Sequence, residues 1–283
     1  MSEPNLPCPQ DAEAAPFDFV VVSDAHVSLT KPYRAKRLSR VLQNVRKLAP
    51  AARVIVVGDT TDYGMPWEYF LVNRARRAAG LEREELLFAL GNHECRLPPF
   101  QGALRRFRRF VGRPQAFYDV EAGRTHLIML AGDEKPVRWD ACRISSEQLT
   151  WLDSLLARDE GEGRASLVFN HEPLFDTVEG SLPEHPSGRS IDNDTELRAV
   201  LDAHPGAFVF TGHSHFRLDA RRIGEGPVFA NTGAIGYDDG YGRDFACGWF
   251  VRVEERAVTM RGRDFLGDRW LDEVRFEREV RAS

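Results

Sequence analysis

The chain has 283 residues, 42% hydrophobic and 29% charged, the balance of a globular protein able to bury a sizeable core. Its formal net charge of -5 leaves no overall basic field for nucleic acid or an anionic membrane. No run approaches the roughly 18 to 20 apolar residues that a membrane span needs.

Residues 1–16, "MSEPNLPCPQDAEAAP", carry acids and prolines but neither a basic region nor an apolar one, and are expected to form a disordered leader rather than a signal peptide. Cys8, Cys95, Cys142 and Cys247 form no C-x-x-C pair, which fits reduced thiols and a cytoplasmic protein better than a disulfide framework or a thiolate zinc site. From residue 17 on, short apolar runs alternate with helical patterns. "FDFVVVSD" (17–24), "RVIVVGD" (53–59), "ELLFALGN" (85–92), "ASLVFNH" (165–171) and "GAFVFTGH" (206–213) are too short and too uniformly apolar for amphipathic helices. They read as central strands buried on both faces.

Between these runs, residues 34–49 place Leu38, Val41, Leu42, Val45 and Leu48 at helical spacing. Residues 145–158 open with a Ser cap and put Leu149, Leu152, Leu155 and Leu156 on one stripe, and residues 193–206 predict a further helix closed by Pro205 and Gly206. A hairpin is expected around Gly123 within 116–132, and several β segments within 227–265. The alternation predicts an α/β fold with a mostly parallel core and antiparallel additions, as a single domain over 17–283.

The polar residues at the ends of the five apolar runs form a series: Asp24 with His26, Asp59, Asn92 with His93, His171, and His213 with His215. Of the 8 histidines, His126, His185 and His204 stand elsewhere. Ligands of open α/β sheets bind outside the carboxyl ends of the strands, so the series is expected to meet at one rim. Buried carboxylates, amides and imidazoles are costly unless satisfied, and a cation that takes oxygen and nitrogen donors would satisfy them. Each short motif alone is common; the shared strand-end placement is what points to metal.

The blocks "DAH" (24–26), "GDTTD" (58–62), "GNHE" (91–94), "NHEP" (170–173) and "GHSH" (212–215) resemble those of the calcineurin-like metallophosphoesterases over about residues 17–235. The resemblance implies a four-layer α/β/β/α sandwich of two mixed sheets holding two metal ions. It implies Asp24, His26, Asp59 and His215 as ligands of one metal, and Asp59, shared as a bridge, with Asn92, His171 and His213 as ligands of the other. His93 resembles the family's catalytic imidazole, and Glu94 stands where an acid commonly orients it. Thiolate-free donors of this kind suit Mn, Fe or Zn. Two cations about 3.5–4 Å apart can activate a hydroxide and clamp the oxygens of an in-line displacement.

Purple acid phosphatases carry a Tyr ligand where this chain has Asp62, with Tyr63 one residue on, and lack the His that stands here as His26. An Fe–Tyr charge-transfer centre is therefore not expected. The helix "QLTWLDSLLA" and the segment "ANTGAIGY" (230–237) look more like the bacterial phosphodiesterase branch. The function expected is hydrolysis of a small-molecule phosphodiester, with His93 as general acid. The rival inside the family is a phosphomonoesterase acting on nucleotides, sugar phosphates or phosphoproteins. A DNA nuclease would need a basic groove, and a non-catalytic scaffold would show lost ligands; neither feature is present.

Arg96, just after "GNHE", is a candidate for holding a substrate phosphate, because the guanidinium suits phosphate oxygens, with a surface salt bridge as the alternative. The basic run "LRRFRRFVGR" (104–113) reads as a helix with Leu104, Phe107 and Phe110 inward and solvated arginines. The polar loop 176–192 and the aromatic segment 236–244 are candidates for shaping the pocket rim.

Overall fold

A computed structural model describes residues 16–185, 190–236 and 245–278. The expected leader therefore lies almost wholly outside the described residues, as do 237–244 of the aromatic segment and 186–189 of the polar loop. The chain opens with β1 (Phe19–Val22), α1 (Pro32–Leu48), β2 (Arg53–Val57), α2 (Pro66–Ala78) and β3 (Leu86–Ala89). It continues through α3 (Phe100–Val111), β4 (Tyr118–Ala122), β5 (Thr125–Met129), α4 (Ser146–Glu162) and β6 (Ala165–Phe169). Then come α5 (Asp194–Asp202), β7 (Phe208–Thr211), β8 (Asp219–Arg222) and β9 (Val228–Asn231). The last elements are β10 (Cys247–Val253), β11 (Ala257–Asp264) and β12 (Arg269–Glu277).

Among the described residues these strands form two six-stranded sheets, ordered β12-β11-β10-β1-β2-β3 and β4-β5-β6-β7-β9-β8. In the first, β1, β2 and β3 run parallel while β10 to β12 add antiparallel strands. In the second, β5, β6, β7 and β9 run parallel between antiparallel edges β4 and β8. The parallel strands in each sheet and the antiparallel additions beside them are as expected from the sequence. Both sheets are mixed.

Strand alternation explains the layering. Phe19, Val21, Ile55 and Val57 face Leu127, Met129, Leu167, Phe169 and Phe210 across the gap between the sheets. The alternate residues Val20, Val22, Val54 and Val56 pack outward on Leu38, Leu42, Val72 and Phe107, which belong to α1, α2 and α3. On the far side Ile128, Val168 and Val209 pack on Leu152, Leu156, Leu197 and Leu201 of α4 and α5. Strands buried on both faces need continuous apolar runs, which is why the five runs were legible. The result is a four-layer α/β/β/α sandwich, as expected.

The hairpin turns at Gly123, whose φ of 63° is in the left-handed region. The basic run lies in α3 with Leu104 and Phe107 buried, and Arg106 donates to the Gly64 carbonyl at 2.8 Å. The polar loop is less open than expected: Thr177 and Ser181 are fully buried, and the Ser181 hydroxyl accepts from the amides of Thr177 and Val178 at 3.1 Å each.

Candidate metal centre

The five apolar runs, now β1, β2, β3, β6 and β7, deliver their terminal residues to one rim, and the backbone ties these ends together. The His26 amide donates to the Asp59 carbonyl at 2.8 Å, the Asp24 amide to the Gly58 carbonyl at 3.2 Å, and the Gly212 amide to the His171 carbonyl at 2.9 Å. Asp24, His26, Asp59, His213 and His215 all adopt positive φ, between 44° and 64°. Residues with a Cβ pay for that region, and such strain collects where structure holds a side chain for function. Gly58 and Gly91 are required by close approach. A Cβ on Gly58 would sit 2.4 Å from the His171 ring, and one on Gly91 would sit 2.2 Å from the Asp59 amide nitrogen.

These bends bring the predicted donors together. His215 Nε2 lies 3.1 Å from Asp24 Oδ1 and 3.3 Å from His26 Nε2. His26 Nε2 lies 3.6 Å from both Asp24 Oδ1 and Asp59 Oδ2. On the other side of Asp59, Oδ2 is 3.2 Å from His171 Nε2, and His213 Nδ1 is 3.1 Å from Asn92 Oδ1. Three groupings of potential ligand atoms follow: Asp24–His26–His215, Asp24–Asp59–His171, and His171–Glu172–His213. Glu172 was passed over in the sequence; the signal available was an acid directly after His171 in "NHEP". A fourth grouping, His26–Asp59–His93, places the proposed acid at the edge of the cluster.

The donor set fits cations. His171 Nε2 is buried without a hydrogen-bond partner while its Nδ1 meets the Val57 carbonyl at 2.8 Å. The carbonyl fixes the ring through Nδ1 and leaves Nε2 directed at the cluster beside Asp59 Oδ2, as for an imidazole that binds metal through Nε2. Burial would raise the pKa of Asp24 and Asp59, yet neighbouring histidines hold both well below the usual carboxylate range: His215 and His171 for Asp24, His171 and His93 for Asp59. Burial also pushes His213 down to about 3, helped by the charge of His171, so its ring is neutral and able to coordinate. His171 is pushed up despite burial, because Asp59 and Asp24 demand positive charge beside them. A cation at this place would supply that charge and release the proton.

His93 sits in a turn of 3-10 helix, His93–Cys95, immediately after Asn92. Its Nδ1 is 3.2 Å from the Asp62 carbonyl and 3.4 Å from Asp62 Oδ1, and its Nε2 is 3.9 Å from Asp59 Oδ2. The residue that orients His93 is thus Asp62, not Glu94. Asp62 also meets His26 Nδ1 at 3.3 Å and Arg34 at 3.5 Å. Glu94 turns away: it accepts from the Thr61 amide at 2.7 Å and hydroxyl at 2.9 Å, and from the Gly91 amide at 3.0 Å. It ties the "GDTTD" and "GNHE" loops together. Burial and the charge of Asp59 push its pKa up to about 8. Burial opposes charge on His93 too, but Asp59 and Asp62 outweigh it and raise its pKa.

Arg96 stands at the edge of the centre with its guanidinium 4.7 Å over the Trp139 ring and 5.5 Å over Tyr63. Asn170, before His171, donates to the Glu172 carbonyl at 2.6 Å and so closes the turn that carries both. His126, His185 and His204 lie elsewhere, in contact with Asp159, Phe216 and Asp153 respectively.

A family model described as calcineurin-like phosphoesterase matches residues 17–217. The chain belongs to the calcineurin-like phosphoesterases. It is a phosphoric ester hydrolase of that family. Its fold is similar to that of a dimetal phosphatase from Danio rerio, with 14% identity and a TM-score of 0.68, over 93% of this chain and 99% of that one. It is also similar to a purple acid phosphatase from yellow lupin seeds, with 14% identity and a TM-score of 0.66, over 93% of this chain but only 54% of the lupin chain. Among the described residues no helix of this phosphoesterase is long and apolar enough to cross a membrane.

Proposed function

We propose that this phosphoesterase is a dinuclear enzyme that hydrolyses a small-molecule phosphodiester. Asp24, His26, Asp59 and His215 would hold one cation, and Asp59, Asn92, His171 and His213 the other. The observation that carries this reading is the position of Asp59, whose Oδ2 is 3.2 Å from His171 Nε2 and 3.6 Å from His26 Nε2. One carboxylate faces donors of both groups, as a bridging ligand must. Mn, Fe or Zn would suit these donors, and a bound pair supplies Lewis-acid charge to the phosphoryl oxygens and lowers the pKa of a water.

The chain's own residues then handle the proton and the leaving group. The Nδ1 of His93 donates to the Asp62 carbonyl, so Nε2 is the atom that can pass a proton to the departing alkoxide. Asp62, against the other ring nitrogen, favours the protonated form of the ring. Arg96, stacked on Trp139, lines the same cleft as Asn92 and would offer its guanidinium to a substrate oxygen there. The diester reading rests on the likeness of "ANTGAIGY" to the bacterial phosphodiesterase branch; within that segment the Gly236 amide donates to the Asp24 carbonyl at 2.8 Å, which sets Gly236 at the rim. Free thiols at Cys95, Cys142 and Cys247 support a cytoplasmic setting. The reading treats 17–283 as one domain, because β1–β3 and β10–β12 share a sheet.

The test is metal content and ester preference together. After manganese loading, elemental analysis should give two metals per chain, and kcat/KM should be higher on bis-p-nitrophenyl phosphate than on p-nitrophenyl phosphate. The reverse preference would make the enzyme a phosphomonoesterase. One metal or none with turnover of neither ester would end the dinuclear reading.

A further inference from the structure

Beside the metal centre a cleft of 470 Å³ runs from Asn92 towards the segment around Trp139. Its walls include Arg96, Pro98, Phe100, Val137, Trp139 and Glu172. Val137 is 88% exposed and Trp139 53% exposed, an unusual outlay of large apolar side chains at the mouth of a polar site. The volume is in the range of small-molecule sites and would take a substituent of one or two rings. The cleft also begins at the proton donor: the Trp139 and His93 rings meet edge to face with centroids 5.6 Å apart.

A general acid must stand next to the oxygen that leaves, so whatever fills the space beside His93 is the departing alcohol. We propose that this cleft binds the alcohol portion of the ester, and that this alcohol carries an aromatic ring lying against Trp139. The inference rests on the phosphoesterase reading above. In the reaction a water gives up a proton to solvent and its oxygen forms the new bond to phosphorus, the bond from phosphorus to the alcohol oxygen breaks, that oxygen takes the proton from His93, and His93 regains a proton from solvent. An aromatic ring is favoured over an aliphatic one because it gains ring–ring contact with the indole. Apolar burial against Phe100, Val137 and the prolines serves either kind of chain, so it does not decide between them.

Calorimetry on the manganese-loaded protein with benzylphosphonate, cyclohexylmethylphosphonate and methylphosphonate reads binding without turnover. Benzylphosphonate should bind roughly tenfold more tightly than methylphosphonate and several-fold more tightly than the cyclohexyl compound, as stacking plus ring burial allows. Trp139→Ala should remove most of the benzyl-over-methyl and benzyl-over-cyclohexylmethyl ratios, read within the variant because the indole also supports Arg96, while Trp139→Phe should keep both ratios. Equal affinity for benzyl and cyclohexylmethyl compounds, a benzyl preference that survives Trp139→Ala, or no binding of any of the three would each overturn the proposal. Trp139-dependent benzyl binding by a protein that hydrolyses neither nitrophenyl ester would keep the cleft and remove the phosphodiesterase reading. Hydrolysis without benzyl preference would do the opposite.

Discussion

Asp24, His26, Asp59, His213 and His215 share a backbone conformation that favours glycine, and their side chains converge with those of His171 and Asn92. The strain is sustained by the surrounding hydrogen bonds, such as the His93 amide donating to Asp59 Oδ1 at 2.9 Å. Residue types and strand-end positions were legible in the sequence because apolar runs end abruptly at polar atoms. Asp62 was not legible as the partner of His26 and His93, since its role depends on two loops folding over it. His93 and Asn92 are adjacent yet diverge, so their roles can be separated by mutation. His93→Ala should retain both metals by elemental analysis and lose roughly 10²–10⁴-fold in kcat on an alkyl phosphodiester. On a p-nitrophenyl ester, whose leaving group needs little protonation, the loss should be clearly smaller. Equal losses would point to phosphate positioning instead, and loss of a metal would make His93 a ligand.

At the scale of elements, Ser145 accepts from the Gln148 amide at 3.2 Å, so the cap read from "SSEQ" starts α4 as expected. The strand α4 covers carries a feature of its own. His126 on β5 is fully buried between Asp159 of α4, 2.7 Å away, and Asp119 of β4, 2.9 Å away, with Ser166 of β6 also donating to Asp159 at 2.8 Å. Burial would lower the pKa of this ring, but the hydrogen bonds to Asp159 and Asp119 prevail and raise it. A raised folded-state pKa stabilises the fold below the unfolded value of about 6.5 and is lost as pH rises through the folded value. Denaturant midpoints should therefore fall from pH 6.5 upward in the wild type. The double variant His126→Gln/Asp159→Asn, which removes the ring and its buried partner together, should show a shallower slope, the remainder coming from His93 and His171, which are also raised. A ring so placed has no sequence signature: "RTHLIM" looks like any strand with one polar residue.

At the scale of the molecule, stability rests on the layer between the two sheets, where Phe169 is fully buried and stacks on Phe210 with centroids 5.3 Å apart. Phe169→Ala should cost about 3–5 kcal/mol in equilibrium denaturation, because the cavity lies where neither sheet can collapse without moving the other. By itself the sequence determined which segments would be buried strands, which helices would cover them, and which side chains would stand at the strand ends, since burial and periodicity are local properties. It missed α2, although Tyr69, Val72 and Ala75 repeat at helical spacing, and it missed the edge strands β8 and β12. Edge strands keep one side open, so β12 alternates exposed charge with half-buried residues and carries no apolar run. Only tertiary structure decided how the strands were shared between two mixed sheets, which residue orients His93, and that a cleft walled by Trp139 opens beside it. Those outcomes depend on contacts between residues far apart in the chain, and a linear pattern of apolar and polar residues carries no information about which distant loops will meet.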